Sequence, residues 1–322
     1  MSLFHRILTA SCLSVFMLAM ALPVYASPFA YITNQEDNNV AVVDLAARKV
    51  VEKIAVGNAP AGIAASNDGR RVYVTNPNGK TVSVIDTATR TVVDTVTVGE
   101  GPLGIGVDPQ DKNVYVADWY THRIYVIDTA SLKIKKQFKV GKSPSGIAFN
   151  RDGSRVYISN RLDDTVSVID TRTFKPIALV PVGKAPFGVT VSPDDKTIYV
   201  ADVQANAVSI IDAATLRVTG TLHVREFPYA TTVDPANRRL FVTNQHDDSV
   251  SVFDIPTKKL LATIDVSGYP EGIEYDRHTG QVYVVNWMGD QIDVIDPNSL
   301  KVVAGIPTGN GSRAFGRFIS SH

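Results

Sequence analysis

One proline recurs every 42 residues along most of the chain and constrains its fold more than any other feature. The six copies are Pro60, Pro102, Pro144, Pro186, Pro228 and Pro270. Each opens a unit of four short apolar runs, which in the first full unit are residues 62–66, 71–76, 81–86 and 92–99. The runs are rich in β-branched residues and are separated by Gly, Asn and Asp, so they predict strands, named A to D in chain order.

A period in the forties with four strands per unit is typical of a β-propeller, in which each unit forms one blade. Residues 29–57 carry strands B, C and D of a seventh unit, and residues 312–319 carry its strand A. We therefore expect an all-β fold with seven four-stranded antiparallel blades, closed where the C-terminal strand joins the N-terminal blade. One domain should span residues 27–322, with little helix.

The first 26 residues have the pattern of a secretory signal peptide. Arg6 precedes the apolar run from Ile7 to Ala21, and small residues favour cleavage after Ala26. A membrane anchor is the weaker interpretation because the apolar run is short and Pro23 interrupts its end. The sequence thus predicts a periplasmic or secreted protein without a membrane span. The single cysteine, Cys12, lies in the signal, so the mature chain would have neither disulfide nor Cys-ligated metal.

Charge and motifs narrow the functional classes. The 32 basic and 32 acidic residues balance, which disfavours a duplex-DNA-binding domain. The sequence contains no Gly-x-Ser-x-Gly elbow, no phosphate-binding glycine-rich loop and no His-x-x-x-His pair. We therefore expect a monomeric, non-enzymatic protein with no catalytic residues, no metal site and no cofactor.

The second run of each unit, strand B, contains a recurring pentapeptide, which in the first full unit is Val72-Tyr73-Val74-Thr75-Asn76. These copies resemble the motif of the YVTN β-propeller repeat family, which includes periplasmic proteins of the YncE type. The resemblance covers about residues 29–319 and implies a seven-bladed propeller. Family members are mostly binding or surface proteins, so it also implies a binding module. The likeness to YncE further suggests single-stranded DNA binding, although no base-stacking motif maps onto named positions.

Residues that repeat in every unit have a structural interpretation. An aspartate ends each strand C, as Asp86 does, and it should accept backbone N–H groups of the following turn. The Pro-x-Gly sequence that opens strand A should allow a tight approach near the central channel. Function is therefore expected where the units differ.

The chemically varied loops are B–C and D–A, which emerge together on what we call the top face; the A–B and C–D turns form the bottom face. We predict a binding site for a small ligand or a periplasmic protein at the top of the channel, with aromatic walls, carboxylates and an arginine. The B–C candidates are Trp119, Tyr120, His122, Arg123, Arg161, Gln245, His246, Trp287 and Met288. The D–A and strand A candidates are Phe187, Phe227, Tyr229, Tyr269, Glu271, Glu274 and Arg313.

Three alternatives to this site stay open. Trp119 and Trp287 could cover neighbouring blades without touching a ligand. Glu271 and Arg313 could pair across the seam where the last full unit meets the N-terminal blade. Finally, some seven-bladed propellers are lactonase-like hydrolases, and Glu271 or Glu274 could serve as the general base of such an enzyme.

Overall fold

A computed structural model describes residues 28–320, so the signal peptide predicted for residues 1–26 lies outside the described chain. These residues form seven antiparallel sheets arranged as the blades of a propeller, which confirms the predicted fold class. Blade 1 contains β1 (Phe29–Asn34), β2 (Asn39–Asp44), β3 (Lys49–Ala55), β28 (Ser312–Arg313) and β29 (Ile319–Ser320). Blade 2 contains β4 (Ile63–Ala65), β5 (Arg71–Asn76), β6 (Thr81–Asp86) and β7 (Thr91–Thr97).

The other five blades repeat this order of strands A to D. Blade 3 contains β8 (Pro102–Val107), β9 (Asn113–Asp118), β10 (Arg123–Asp128) and β11 (Lys133–Lys139). Blade 4 contains β12 (Pro144–Phe149), β13 (Arg155–Asn160), β14 (Thr165–Asp170) and β15 (Pro176–Pro181). Blade 5 contains β16 (Pro186–Val191), β17 (Thr197–Asp202), β18 (Ala207–Asp212) and β19 (Arg217–His223). Blade 6 contains β20 (Pro228–Val233), β21 (Arg239–Asn244), β22 (Ser249–Asp254) and β23 (Lys259–Asp265). Blade 7 contains β24 (Pro270–Asp276), β25 (Gln281–Asn286), β26 (Gln291–Asp296) and β27 (Lys301–Pro307).

Helix is scarce, as expected. Within residues 28–320 it is limited to two 3-10 turns, Val203–Ala205 and Gln245–Asp247. Neither turn, nor any other helical segment of the described chain, has the length and apolar character needed to cross a membrane.

The ring closes in blade 1, where both ends of the chain share one sheet. Strand β1 pairs antiparallel with β28, placing Thr33 opposite Arg313, and with β29, placing Phe29 opposite Ser320. The predicted single strand A is thus split into two short strands, and Gly316 lies between them with φ +112°. That conformation favours glycine and lets the chain bend while both parts stay paired to β1.

Burial explains the apolar runs of the sequence. Strands B and C are covered on both faces by neighbouring blades, so they are almost continuously buried, whereas strand D is largely exposed. The aromatic residue of each repeated pentapeptide lies in these blade interfaces; Tyr73 of blade 2, for example, packs against Val114 and Val116 of blade 3. The core is therefore a series of interfaces between blades.

The threonine of the repeated pentapeptide connects consecutive blades. Thr75 Oγ1 accepts the backbone N–H of Gly62 in its own strand A at 2.8 Å and donates to the carbonyl of Leu103 in the next blade at 2.9 Å. In blade 4, Ser159 uses its hydroxyl in the same way, towards Gly146 and Phe187. The bond is not present in every blade, because Ala117, Ala201 and Val285 hold this position in blades 3, 5 and 7.

The glycine two residues after the repeated proline, present in blades 2, 3, 4, 5 and 7, permits close approach of neighbouring strands A. A Cβ added to Gly146 would lie 2.3 Å from the carbonyl oxygen of Phe187 in the next blade. The tight approach predicted from Pro-x-Gly is thus confirmed, and the neighbouring group is the backbone of the following strand A. The aspartates at the ends of strands C cap their turns as predicted: Asp170 Oδ1 accepts the N–H groups of Arg172 and Thr173 at 3.0 and 2.8 Å.

Candidate functional site

Two sets of side chains, each repeating every 42 residues, meet at the top of the central channel. The loop ring consists of the first residue of each B–C loop: Gln35, Pro77, Trp119, Arg161, Val203, Gln245 and Trp287. The strand ring consists of the residue after each repeated proline or, in blade 1, after Ser312: Ala61, Leu103, Ser145, Phe187, Tyr229, Glu271 and Arg313. Their contacts, described below, determine what the channel mouth can bind.

Aromatic side chains fill the mouth. Phe187 and Tyr229 stack with ring centroids 4.0 Å apart, and Phe315 packs against them at 5.2 and 5.6 Å. We call these three residues the aromatic plug. Their exposed fractions are only 4%, 8% and 8%, and Phe187 and Phe315 also line the inner end of the cavity that opens on the bottom face. Val203 and half-buried Trp119 pack against the plug, which places Trp119 in blade contacts as well as at the surface.

A buried ion pair lies beside the plug at the seam between blades 7 and 1. Arg313 binds Glu271 in a bidentate manner, with Nε–Oε2 and Nη2–Oε1 distances of 2.7 and 2.9 Å. Gln245 donates to Glu271 Oε1 at 2.7 Å, and Arg313 Nη1 donates to Gln35 Oε1 at 3.1 Å. Burial lowers the pKa of Arg313, but the adjacent carboxylate more than offsets this and the pKa is raised. The seam pair considered from sequence therefore exists, in a buried form.

A row of rings runs along the top face of blades 6 and 7. Phe227 stacks on His246 at 3.8 Å, His246 contacts Tyr269 at 5.2 Å, and Tyr269 meets Trp287 edge-on at 5.8 Å. The Arg313 guanidinium lies 4.8 Å from the Trp287 ring and ends the row. Aromatic rings in such contacts stabilise one another, which orders this side of the rim.

Blades 3 and 4 form the more open side of the rim. Tyr120 and Leu162 are 69% and 63% exposed. Arg161, on the same side of the rim, is half-buried, and its guanidinium carbon is 5.8 Å from the centre of the Phe187 ring. Its Nη1 is buried and has no hydrogen-bond acceptor among the described residues, and Arg161 forms no ion pair with them. Burial lowers the pKa of this arginine, although a guanidinium stays charged in proteins.

The remaining candidates fall into three groups. His122 has φ +58° and accepts the N–H of Ser143 through Nδ1 at 3.1 Å, so it orders a loop contact. Met288 is 65% exposed on the rim, and Arg123 is half-buried at the start of a strand C. Glu274 is separated from all of these, because it lines the cavity that opens on the bottom face. The binding roles of these residues stay predictions.

Two further residues belong to this site although the sequence interpretation did not include them. Gln35 binds the seam arginine, and Phe315 completes the plug. Phe315 could have been found by aligning the units, because it occupies a position that holds Ile, Val or Thr in the other six. Within residues 28–320, no group of three or more His, Cys, Asp or Glu is arranged to hold a metal ion.

Comparison with known proteins agrees with this architecture. The sequence profile of the YNCE-like β-propeller family matches residues 63–152 and 147–243. The chain belongs to this family. No curated protein matches the sequence.

Solved structures with the same fold have diverse descriptions. Hydrazine synthase of Kuenenia stuttgartiensis is 22% identical with a TM-score of 0.72, over 79% of this chain and 88% of that one. A functionally unknown protein from Desulfotomaculum acetoxidans is 16% identical with a TM-score of 0.78, over 89% and 98%. The dihydro-heme d1 dehydrogenase NirN, solved in complex with DHE, is 16% identical with a TM-score of 0.68, over 89% and 66%. At these identities, the likeness concerns the fold alone.

Proposed function

We propose that this YNCE-like propeller is a binding module whose top face holds a small molecule with an anionic group, a carboxylate or a phosphate. One observation carries the proposal: Arg161 presents a guanidinium at the channel mouth, and its buried Nη1 has no acceptor among the described residues. A buried charged donor without a partner is destabilising, so an oxyanion that reaches it would gain a charge-assisted hydrogen bond.

The surroundings of Arg161 support a ligand that is also aromatic or apolar. The guanidinium lies near the Phe187 ring, while Tyr120 and Leu162 offer exposed apolar surface on the same side of the rim. Arg313, the other arginine at the mouth, is already neutralised by Glu271. Arg161 is therefore the better anion receptor of the two. If residues 1–26 act as the predicted signal peptide, this module functions in the periplasm or outside the cell.

The alternative of a lactonase-like hydrolase with Glu271 as general base receives less support than the binding module. Both oxygens of Glu271 accept hydrogen bonds from Arg313 or Gln245, and the carboxyl is fully buried. A general base must reach its substrate, so that alternative depends on Glu274. We therefore propose a module without catalytic residues at the top face.

The test compares matched ligands by calorimetry and thermal shift. Benzoate and phenyl phosphate should bind and raise the melting temperature, whereas benzyl alcohol, which lacks the charge, should not. Replacement Arg161→Ala should abolish the anion effect, and Arg172→Ala, which removes an exposed arginine from a bottom-face turn, should leave it unchanged. A ligand at 100 times its dissociation constant adds roughly 2.7 kcal/mol of stability, a readily measured shift. Equal anion binding by the Arg161→Ala variant would refute the proposal.

A further inference from the structure

The channel beneath the aromatic plug opens on the bottom face as a cavity of about 680 Å³. Phe187 and Phe315 form its floor, and residues of the A–B turns, including His278, form its rim. A volume of this size lies within the range of roughly 300–1,000 Å³ that small-molecule sites occupy. The plug separates this cavity from the proposed anion site, so a ligand here would be a different one.

One level of the cavity wall is formed by a single position of the repeat. From blade 4 round to blade 1 this position holds Ala148, Thr190, Thr232, Glu274 and Gly316, all of which line the cavity. Glu274 is the only ionisable residue among them. Across the channel, blade 4 contributes the apolar side chains of Ile147 and Phe149 to the same cavity. The wall thus has a polar side with a carboxyl group and an apolar side facing it.

The two oxygens of Glu274 have different surroundings. Oε2 accepts the backbone N–H groups of Phe318 and Ile319 at 2.7 and 2.9 Å, which anchors β29. Oε1 accepts no hydrogen bond from the described residues and has only a long ion pair, with Arg317 Nε at 3.9 Å. The Arg317 guanidinium does not approach Oε1 more closely because its Nη1 donates a hydrogen bond to Asn67 Oδ1 at 2.6 Å. With the Glu274 side chain 19% exposed, Oε1 is left for a ligand that enters the cavity.

We propose that the cavity binds a small primary amine, with the ammonium group on Glu274 Oε1 and the hydrocarbon part against Ile147 and Phe149. The Thr232 hydroxyl lies at the same level of the wall; its oxygen accepts the N–H of Tyr275 at 3.3 Å and has a second lone pair that could accept from an ammonium. An ammonium placed here would satisfy Oε1 with a charge-assisted hydrogen bond in a partly desolvated site. The apolar wall of blade 4 selects amines that carry a ring or an alkyl chain over the ammonium ion itself.

Protonation of Glu274 couples this binding to pH. Burial raises the pKa of Glu274 to about 7, while Arg317 and the N–H groups of Phe318 and Ile319 oppose the rise and Asp276 adds to it. Tyr275, Arg277 and His278 are the other charged or titratable groups at this part of the cavity. An ammonium ion binds the ionised carboxyl, so its affinity should be lower near pH 6 than near pH 8, and binding near pH 6 should release the carboxyl proton, which calorimetry detects.

The experiment measures binding of benzylamine to the full chain by calorimetry at about pH 8, with benzyl alcohol as the neutral match. We expect benzylamine to bind and benzyl alcohol to bind at least about tenfold more weakly, and Glu274→Gln to weaken benzylamine by a similar factor. The glutamine keeps an acceptor for the N–H groups of Phe318 and Ile319, and its melting curve checks the fold. Phe149→Ala, on the opposite wall, should weaken benzylamine without affecting β29.

The Arg161→Ala variant distinguishes the amine site from the anion site of the proposed function, because it should abolish benzoate binding and leave benzylamine binding unchanged. Absence of benzylamine binding, equal binding of benzyl alcohol, or unchanged affinity in Glu274→Gln would each overturn the amine site. None of these outcomes would affect the anion site at the top face.

Discussion

Asp202 is a buried carboxyl in a position where most other blades have asparagine, and we expect Asp202→Asn to stabilise the protein at neutral and higher pH. In blade 2 the equivalent Asn76 donates through Nδ2 to Ser83 at 3.0 Å. In blade 5 the bond is reversed, and Ser209 donates to Asp202 Oδ2 at 2.6 Å. Asp202 is fully buried and its Oδ1 has no partner among the described residues. An asparagine fits this hydrogen-bond pattern without carrying a charge into the interior.

The size of the effect follows from the pKa of Asp202. Burial raises it from 3.8 to about 7, although Ser209 and the N–H of Gly183 partly oppose the rise. Below pH 3.8 the group is protonated in both the folded and the unfolded chain, so its ionisation costs nothing. Between 3.8 and about 7 only the unfolded chain loses the proton, and stability falls by about 1.4 kcal/mol per pH unit. The full cost, present above pH 7, is at most about 4 kcal/mol.

Urea unfolding of the wild type and Asp202→Asn measures this cost. The stability gained by the variant should be about 1 kcal/mol near pH 4.5 and about 4 kcal/mol near pH 8. A gain that does not change with pH, or a loss near pH 8, would refute the reasoning.

Asp118 is a matched control because it holds the same repeat position in blade 3 with different partners. It accepts three backbone N–H groups, from Glu100 at 2.6 Å and from Tyr120 and Thr121 at 3.0 Å each. An amide would lose the charge-assisted part of these bonds. We therefore expect Asp118→Asn to destabilise the protein by about 1–3 kcal/mol near pH 8, opposite in sign to Asp202→Asn.

Three further changes test the contacts between blades. Arg313→Ala would leave Glu271 buried without its partner and should lower the free energy of unfolding by about 3–5 kcal/mol in urea titrations; a loss below about 1 kcal/mol would mean that the pair is solvated. Gly146→Ala should cost about 1–3 kcal/mol, because its Cβ would lie 2.3 Å from the Phe187 carbonyl, whereas Ala230→Gly at the same position of blade 6 should cost less than about 1 kcal/mol; equal losses would contradict the packing argument. Thr75→Val should lower stability by about 1–3 kcal/mol, measured by thermal denaturation, because the Gly62 N–H and the Leu103 carbonyl lose their partner. The exposed Thr95→Val serves as its control, and similar losses in both variants would argue against a blade-linking role.

At the mouth of the channel, the sequence predicted which residues lie at one level but not how deeply they are buried. Alignment of the repeats placed Phe187, Tyr229, Glu271 and Arg313 at one level, and the structure brings all four together. The sequence could not indicate that the first three would be buried, because burial depends on how side chains from different blades fill a shared space. The depth of the ion pair and the closure of the mouth by Phe315 follow from that packing.

On the bottom face, the sequence likewise predicted the position of Glu274 in the repeat but not the residues around it. The sequence identified it as a carboxylate replacing a small residue on strand A, yet strand alternation alone left its neighbours unknown. Its position at the wall of a bottom-face cavity, with one oxygen anchoring β29, depends on the bend at Gly316 that returns the C-terminal strand to blade 1. No spacing in the sequence encodes that contact.

The sequence by itself determined the number of blades, the strand order, the closure in blade 1 and the structural role of the repeated Asp and Gly residues. It could do so because strands and turns follow from local composition, and because a constant period of 42 residues imposes the same local structure in every unit. The tertiary structure alone decided which end of the channel is open, which carboxyl groups are neutralised, and that Arg161 has a donor without an acceptor in the part of the chain the structure describes. Those properties are set where non-identical side chains from several blades meet, and their free energies depend on burial and distance, which the linear order of residues does not contain.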